Sequence, residues 1–247
     1  MGRWLLPQGE PFEFSWRGMK IWVDPEQSID MRVYSTGDYE PETLAAIAKL
    51  AHEAKDVIDI GANIGMIAMW SSQCVGPQGR VIAVEPSSWA CERIRRNTEL
   101  SSIGNVEVLR AAVSDQSAQG ELETINGYRV DNTDTRRLEQ VRFATVDEII
   151  AEYGVEKLSL LKVDTDGFEW GVFQGAHKTL TTLKPNIVFE YGPDHLRRFS
   201  QVEPSRLIEL LESYGYKILT EQFESFNAEQ LSLGKNQTTN LVALHSG

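Results

Sequence analysis

Val57-Ile58-Asp59-Ile60-Gly61-Ala62-Asn63-Ile64-Gly65 is the stretch on which the reading of this chain turns. Four mostly β-branched residues run into a glycine-rich turn, and an apolar helix follows. Such a turn presents backbone N–H groups and a helix N-terminus to a ligand with almost no side chain in the way. A second strand, Arg80-Val81-Ile82-Ala83-Val84-Glu85-Pro86, ends on an acid. In α/β sheets an acid at that distance accepts hydrogen bonds from both hydroxyls of a ribose. Together the two strands point to an adenosine-type cofactor.

The spacing discriminates among such cofactors. A nicotinamide or flavin fingerprint wants G-x-G-x-x-G, whereas Ala62 and Asn63 stand here between Gly61 and the turn's second glycine, Gly65. The glycine that lets the backbone approach a pyrophosphate is missing, which disfavours a dehydrogenase. No Gly-Lys-Ser/Thr follows, so a P-loop is excluded. Asp59 would repel a pyrophosphate and suit an ammonium or sulfonium. S-adenosyl-L-methionine carries both, offers ribose hydroxyls to Glu85 and has no phosphate. The residues expected around it are Asp59, Gly61, Ala62, Asn63, Gly65, Glu85, Pro86 and Ser87. Ala112, just after strand 106–110, would pass near the adenine edge. Glu40, beside Tyr39, would close over the cofactor. The plain alternatives are a tight strand–helix turn without a ligand, and for Glu40 a charge that complements a helix N-terminus.

A third motif supplies the reacting edge. Leu158 to Val163 is an apolar strand, so Asp164 lies at its carboxyl end, where open α/β sheets bind ligands. Glu190 ends the next apolar strand, and His195 is the histidine expected near that edge. Asp164, Glu190 and His195 are the candidate catalytic residues, able to orient a hydroxyl and take its proton. Asp164 also qualifies for holding the cofactor's ammonium. Two acids there could ligate a hard divalent ion, but the histidine and acids already provide a base, so no metal ligand is assigned. Asp166, with Glu169 three residues on, reads as a helix cap. Lys162 reads as a structural charge in a neighbouring ion pair.

Asp59-Ile60-Gly61-Ala62-Asn63-Ile64-Gly65, Glu85-Pro86, and Leu161-Lys162-Val163-Asp164-Thr165-Asp166-Gly167-Phe168-Glu169 resemble FkbM-type methyltransferases. Gln174-Gly175-Ala176 and Pro185-Asn186-Ile187-Val188-Phe189-Glu190 fit the same pattern. The resemblance runs over residues 38 to 192. It implies a Rossmann-like class I methyltransferase fold, S-adenosyl-L-methionine as cofactor, and methylation of a hydroxyl oxygen on a sugar, glycolipid or secondary metabolite. One departure is visible: the family's Asp-Val-Glu-Gly reads Asp164-Thr165-Asp166-Gly167. Residues 1–37 and 193–247 do not carry a substrate over.

Composition narrows the partners. The 247 residues are 41% hydrophobic with a net charge of −12, and no Lys/Arg-rich run appears. A basic footprint for nucleic acid or anionic membrane is therefore missing. The expected partner is a small hydroxylated substrate, and a homo-oligomer is compatible with the chain. Cys74 and Cys91 make neither a disulfide scaffold nor a zinc site. Met1 to Pro7 lack a secretory apolar core and no apolar run is long enough to span a membrane, which predicts a cytoplasmic protein. A non-catalytic binding module on the same fold is the alternative from another class; the intact Gly61, Gly65, Glu85 and Asp164 argue against it.

The expected order is an N-terminal extension over 1–40, then a cofactor-binding domain over 41–247 with an insertion at 120–145. Aromatic and polar positions alternate over 10 to 35 around Arg17-Gly18, predicting a β-hairpin. Pro41 opens a helix. Strands at 57–60, 81–85, 106–110, 158–163 and 186–190 alternate with helices at 64–74, 88–100 and 167–181. The 120–145 segment reads as a hairpin or flap. Thr145-Val146-Asp147-Glu148 is a capping box whose helix Gly154 closes. Pro204 starts a helix that Gly215 ends, and strands 216–219 and 239–244 follow. The fold class is α/β, with a mostly parallel sheet, a C-terminal antiparallel hairpin and an N-terminal β-hairpin/helix extension.

Overall fold

The computed structural model describes residues 9–131, 133, 136–228 and 234–246. The reading of Met1 to Pro7 lies outside them. Strands β1 (Phe12–Trp16) and β2 (Met19–Val23) open the described chain, followed by helices α1 (Ser28–Thr36) and α2 (Pro41–Leu50). Then come β3 (Asp56–Ile60), α3 (Met66–Val75), β4 (Val81–Val84), α4 (Ser88–Leu100), β5 (Val106–Leu109) and β6 (Ala112–Val113). The insertion supplies β7 (Ala118–Ile125) and β8 (Arg136–Ala144), and α5 (Val146–Glu152) leads back to the sheet. The chain continues through β9 (Leu158–Val163), α6 (Glu169–Gln174), β10 (Asn186–Tyr191), the single turn α7 (Pro193–His195), α8 (Pro204–Ser213), β11 (Tyr216–Thr220) and β12 (Thr239–His245).

Seven strands form the central sheet in the order β11-β12-β10-β9-β3-β4-β5. Only β12 is antiparallel to its neighbours, and it slots between β10 and the outermost strand β11. From β3 the chain moves outward through β4 and β5, then returns to build β9 and β10 on the other side. The order therefore reverses between β3 and β9. Open α/β sheets leave a ligand crevice at such a reversal, outside the carboxyl ends of the strands. Gly61 and Asp164 follow β3 and β9 at that point, with Ile60 paired to Val163.

Burial of both faces explains the near-continuous apolar strands. Ile58, Ile60, Ile82, Val84, Leu161 and Val163 pack with Phe173, Leu180, Leu207 and Leu211 on one side. Val57, Val81, Ala83, Leu160 and Val188 face Leu44, Ile47, Met66 and Met69 on the other. Alternation along each strand thus feeds two helical layers rather than one core and one wet face.

The sequence reading meets the structure well in the middle and needs revision in two places. The N-terminal hairpin forms around Arg17 and Gly18, both at positive φ (48° and 82°), but ends at Val23. Residues Ser28–Thr36 are helical, where the alternation ran on to residue 35. Asp30 decides this. It is buried, accepts from the Asp24 amide at 2.8 Å, and pairs with Arg93 of α4 at 2.7 Å. The helix expected over 167–181 is broken: α6 stops at Gln174, and a separate π-helical turn spans Thr179–Leu183. A side chain at Gly175 would overlap the Ser114 carbonyl. Asp147 starts the second segment by accepting from the Lys178 and Thr179 amides at 2.8 and 2.7 Å.

The 120–145 hairpin forms as β7 and β8, with β6 alongside β8 in a separate three-stranded sheet. It meets the N-terminal segment through an antiparallel bridge between Gln27 and Arg129. The Ser28 amide donates to the Tyr128 carbonyl at 2.5 Å and the Val130 amide to the Glu26 carbonyl at 2.9 Å. The capping box at Thr145 has both its reciprocal hydrogen bonds. Cys91 is buried and Cys74 half-buried, both as free thiols. No helix among the described residues is long and apolar enough to cross a membrane.

Candidate functional site

The turn after β3 is built differently from the open amide cradle its glycines suggest. The Gly61 and Ala62 amides both donate to the Val84 carbonyl, at 2.9 and 3.1 Å. The Gly65 amide donates to the Ala62 carbonyl at 2.9 Å, and the Asn63 amide to Glu85 Oε2 at 2.9 Å. These four donors are occupied within the protein. The glycines serve close approach instead. At Gly61 (φ 75°) a Cβ would overlap the Asp164 carbonyl of the neighbouring strand end. At Gly65 (φ 88°) it would lie 3.1 Å from Ile94 of α4. The first glycine therefore lets β3 and β9 meet at the crevice, and the second lets α3 pack on α4.

Glu85 sits at the end of β4 with its carboxylate fixed by two main-chain donors, Asn63 at 2.9 Å and Ser87 at 2.9 Å. Burial pushes its pKa up to about 7, against the pull of those two amides. Ser87 is the N-cap of α4 and accepts from the Ala90 amide at 3.3 Å, while its hydroxyl donates to Asn126 at 3.2 Å. The Pro86 carbonyl accepts from Arg110 Nε at 3.3 Å. Ala112 lies in β6 of the three-stranded sheet, paired with Phe143 of β8.

Sequence reasoning missed the partners the insertion brings here. Glu139 of β8 accepts from the Ser88 hydroxyl and from Thr124, and pairs with Arg110. Asn126 reaches Ser87 in the same way. Only the folding back of a long polar hairpin puts these side chains beside α4, and nothing local in their sequence marks them.

The acids around the crevice share one lysine. Lys162 is buried, with Nζ 3.4 Å from Asp59, 3.3 Å from Asp164 and 3.4 Å from the Gly61 carbonyl. Burial opposes its charge, but the carboxylates of Asp164, Asp59 and Glu40 outweigh that and hold its pKa well above the usual value. Lys162 is thus the structural charge the sequence suggested. Asp59 is fully buried, and its carboxylate faces Lys162. Burial pushes the Asp59 carboxyl up while Lys162 pulls it down. Glu40 adopts a left-handed conformation (φ 40°) at the start of α2, and its Oε2 is buried without a hydrogen-bond partner. The structure therefore gathers Glu40, Asp59 and Asp164 around Lys162, from three separated stretches of sequence.

On the far side of Asp164, Glu190 and His195 meet Asp166. Each of these three offers a ligand atom within 4.8 Å of the others. The helix-cap reading of Asp166 fails. Its φ is 52°, the N-cap position of α6 is Phe168, and Glu169 pins the loop before the helix by accepting from the Thr165 amide at 2.9 Å, the Thr165 hydroxyl at 2.9 Å and the Gly167 amide at 3.1 Å. Burial, followed by the charge on Asp164, raises both Asp166 and Glu190, the latter to about 8. Asp194, next to His195, instead accepts from the Asn236 amide and pairs with Arg197. His177 lies away from this edge, bonded to Tyr214 at 3.0 Å.

Known proteins share this architecture. The Streptococcus mutans protein SMU.1697c, solved in complex with SAH, superposes with a TM-score of 0.52 at 10% identity, over 81% of this chain and 94% of its own. A methyltransferase FkbM from Methylobacillus flagellatus superposes with a TM-score of 0.51 at 16% identity over 78% of this chain, which spans only 44% of that protein. Among sequence relatives, methyltransferase sdnD of Sordaria araneosa is 24% identical over 68% of this chain and 76% of its own length. The 2-O-methyltransferase NoeI of Sinorhizobium fredii is 25% identical over 64% of this chain and 71% of its own. The methyltransferase FkbM domain profile matches residues 59–218, a span that opens on Asp59 of β3 and runs through Asp164, Glu190 and His195. This chain belongs to the FkbM methyltransferase family.

Proposed function

We propose that the chain is an S-adenosyl-L-methionine-dependent O-methyltransferase acting on a hydroxyl of a sugar, glycoside or secondary metabolite. One observation carries this reading: the crevice turn is lined by carboxylates, and its one lysine is already shared by Asp59 and Asp164. That donor set suits a cationic cofactor and repels a pyrophosphate. The orphaned Oε2 of Glu40 is a buried acceptor awaiting a donor, as the ammonium of such a cofactor would be. Glu85, already oriented by two amides, keeps lone pairs free for the ribose hydroxyls. Gly61, Ala62, Asn63 and Gly65 shape the floor, with Pro86, Ser87 and Ala112 at the adenine side.

When bound, S-adenosyl-L-methionine supplies an electrophilic methyl group on a cationic sulfur. The chain's own residues then position the acceptor and exclude water. Asp164, whose Oδ2 is held by Lys162, stands at the open end of β9 and takes the proton from the acceptor hydroxyl. Glu190 and His195 line the next strand end and orient that hydroxyl. The NoeI relative bears an O-methyltransferase name, which favours oxygen over carbon or nitrogen as acceptor atom. Calorimetry with S-adenosylhomocysteine and with NAD tests the cofactor. Binding of the first alone is expected; binding of NAD alone overturns the reading. A screen of sugar and metabolite acceptors with methyl-labelled cofactor then identifies the substrate.

A further inference from the structure

Asp166, Glu190 and His195 come from three elements, and the backbone is shaped to bring them together. Asp166 holds a left-handed φ of 52°, a conformation that aspartate adopts more readily than most residues. Gly167 has φ 102°, and a Cβ on it would lie 2.8 Å from the His195 backbone. The Ser200 hydroxyl donates to the Gly167 carbonyl at 2.6 Å, tying the turn after α7 to the same loop. Glu169 fixes the loop from beneath through three hydrogen bonds and leaves the Asp166 side chain free.

Two further facts point to a missing partner. Glu190 Oε2 and His195 Nδ1 are both buried without a hydrogen-bond partner. Among the described residues, no lysine or arginine forms an ion pair with Asp166 or Glu190: Lys162 serves Asp59 and Asp164, and Arg197 serves Asp194 and Glu203. A buried carboxylate oxygen and a buried ring nitrogen left unsatisfied are costly unless something fills the space between them. The carboxylates of exposed Asp166 and half-buried Glu190 and the imidazole of half-buried His195, within 4.8 Å of one another, form a three-ligand face that suits a divalent cation and leaves positions for water or a substrate oxygen.

We propose that Asp166, Glu190 and His195 bind a divalent cation of the Mn²⁺ class at the carboxyl end of β9 and β10. The role of that cation rests on the methyltransferase reading above: it would take the acceptor's oxygen and lower the pKa of the hydroxyl, so that the lysine-held Asp164 suffices as proton acceptor. This regroups the sequence expectation, in which Asp164 and Glu190 were the acids able to hold an ion and no metal ligand was assigned. Asp164 instead belongs to Lys162, and Asp166 takes its place.

The test is Mn²⁺ titration of the purified chain alone, read by electron paramagnetic resonance, with S-adenosylhomocysteine calorimetry run in parallel. One Mn²⁺ per chain is expected. Asp166→Asn, Glu190→Gln and His195→Ala should each weaken it by about tenfold or more, while circular dichroism stays unchanged. No stoichiometric Mn²⁺, or Mn²⁺ binding unaltered in all three variants, overturns the proposal. If S-adenosylhomocysteine binds but Mn²⁺ does not, the cation site falls and the cofactor reading stands. If Mn²⁺ binds and S-adenosylhomocysteine does not, the cation site stands and the cofactor reading falls.

Discussion

Replacing Lys162 with methionine tests the buried charge cluster most directly. Methionine keeps the length and apolar stem of lysine and removes the ammonium. Asp59 is then left fully buried, with neither carboxylate oxygen facing a hydrogen-bond donor and its one ion-pair partner among the described residues gone. Breaking a buried pair from one side costs about 3–5 kcal/mol, because a charge remains without compensation. A typical domain is stable by about 5–15 kcal/mol, so about a fifth of the total or more is at stake. The loss should depend on pH. Burial already raises Asp59 in the folded state, and without Lys162 it rises further, so the folded variant binds a proton more tightly than the unfolded chain does. Stability of the variant then falls as pH rises above the unfolded value and recovers on acidification. Urea denaturation followed by circular dichroism at pH 5.5 and pH 8 measures this. Adding Asp59→Asn to Lys162→Met should recover most of the loss. A Lys162→Met variant within about 1 kcal/mol of the parent at pH 8, or no recovery in the double variant, would refute the reasoning.

Glu85→Ala should weaken S-adenosylhomocysteine binding by about 1.5–3 kcal/mol, as charge-assisted hydrogen bonds to the ribose are lost; unchanged affinity in calorimetry would remove Glu85 from the site. Because the Glu85 pKa is pushed up to about 7, its ionisation costs stability between the unfolded value of 4.5 and about pH 7, and cofactor binding near pH 7 should release a proton. Calorimetry in buffers of different ionisation enthalpy reads that release, and its absence would show that Glu85 does not change charge on binding. Gly61→Val should fail to fold or lose several kcal/mol, because the added carbon meets the Asp164 main chain rather than ligand space; a well-folded variant that merely loses cofactor would contradict that geometry. Asp164→Asn should lower turnover by roughly 10²–10⁴ with S-adenosylhomocysteine affinity little changed, and wild-type turnover would show that the acid is structural.

Much of the sheet and of its strand-end turns was legible along the chain. The apolar runs 57–60, 81–84 and 158–163, the glycine turn after the first, the acids ending the other two, and the capping box at Thr145 are local patterns whose physics acts over a few residues. They determined a mostly parallel α/β sheet and singled out Glu85 and Asp164 at its strand ends, as the run 186–190 and the loop after it singled out Glu190 and His195. The tertiary structure decided what each polar group meets. Whether Gly61 gives way to a ligand or to the Asp164 carbonyl depends on β9, which lies about a hundred residues further on and beside β3 only in the folded sheet. Asp166 reads as a helix cap because Glu169 is three residues away, yet its positive φ and its approach to Glu190 and His195 arise from loops packing across Gly167. Likewise Glu40 and Asp59 reach Lys162 and Asp164 only because the start of α2 and the end of β3 pack beside the end of β9. Hydrophobic periodicity is a property of neighbours in sequence, and so the chain carries its fold openly. Charge compensation is a property of neighbours in space, and it exists only once the sheet has closed around it.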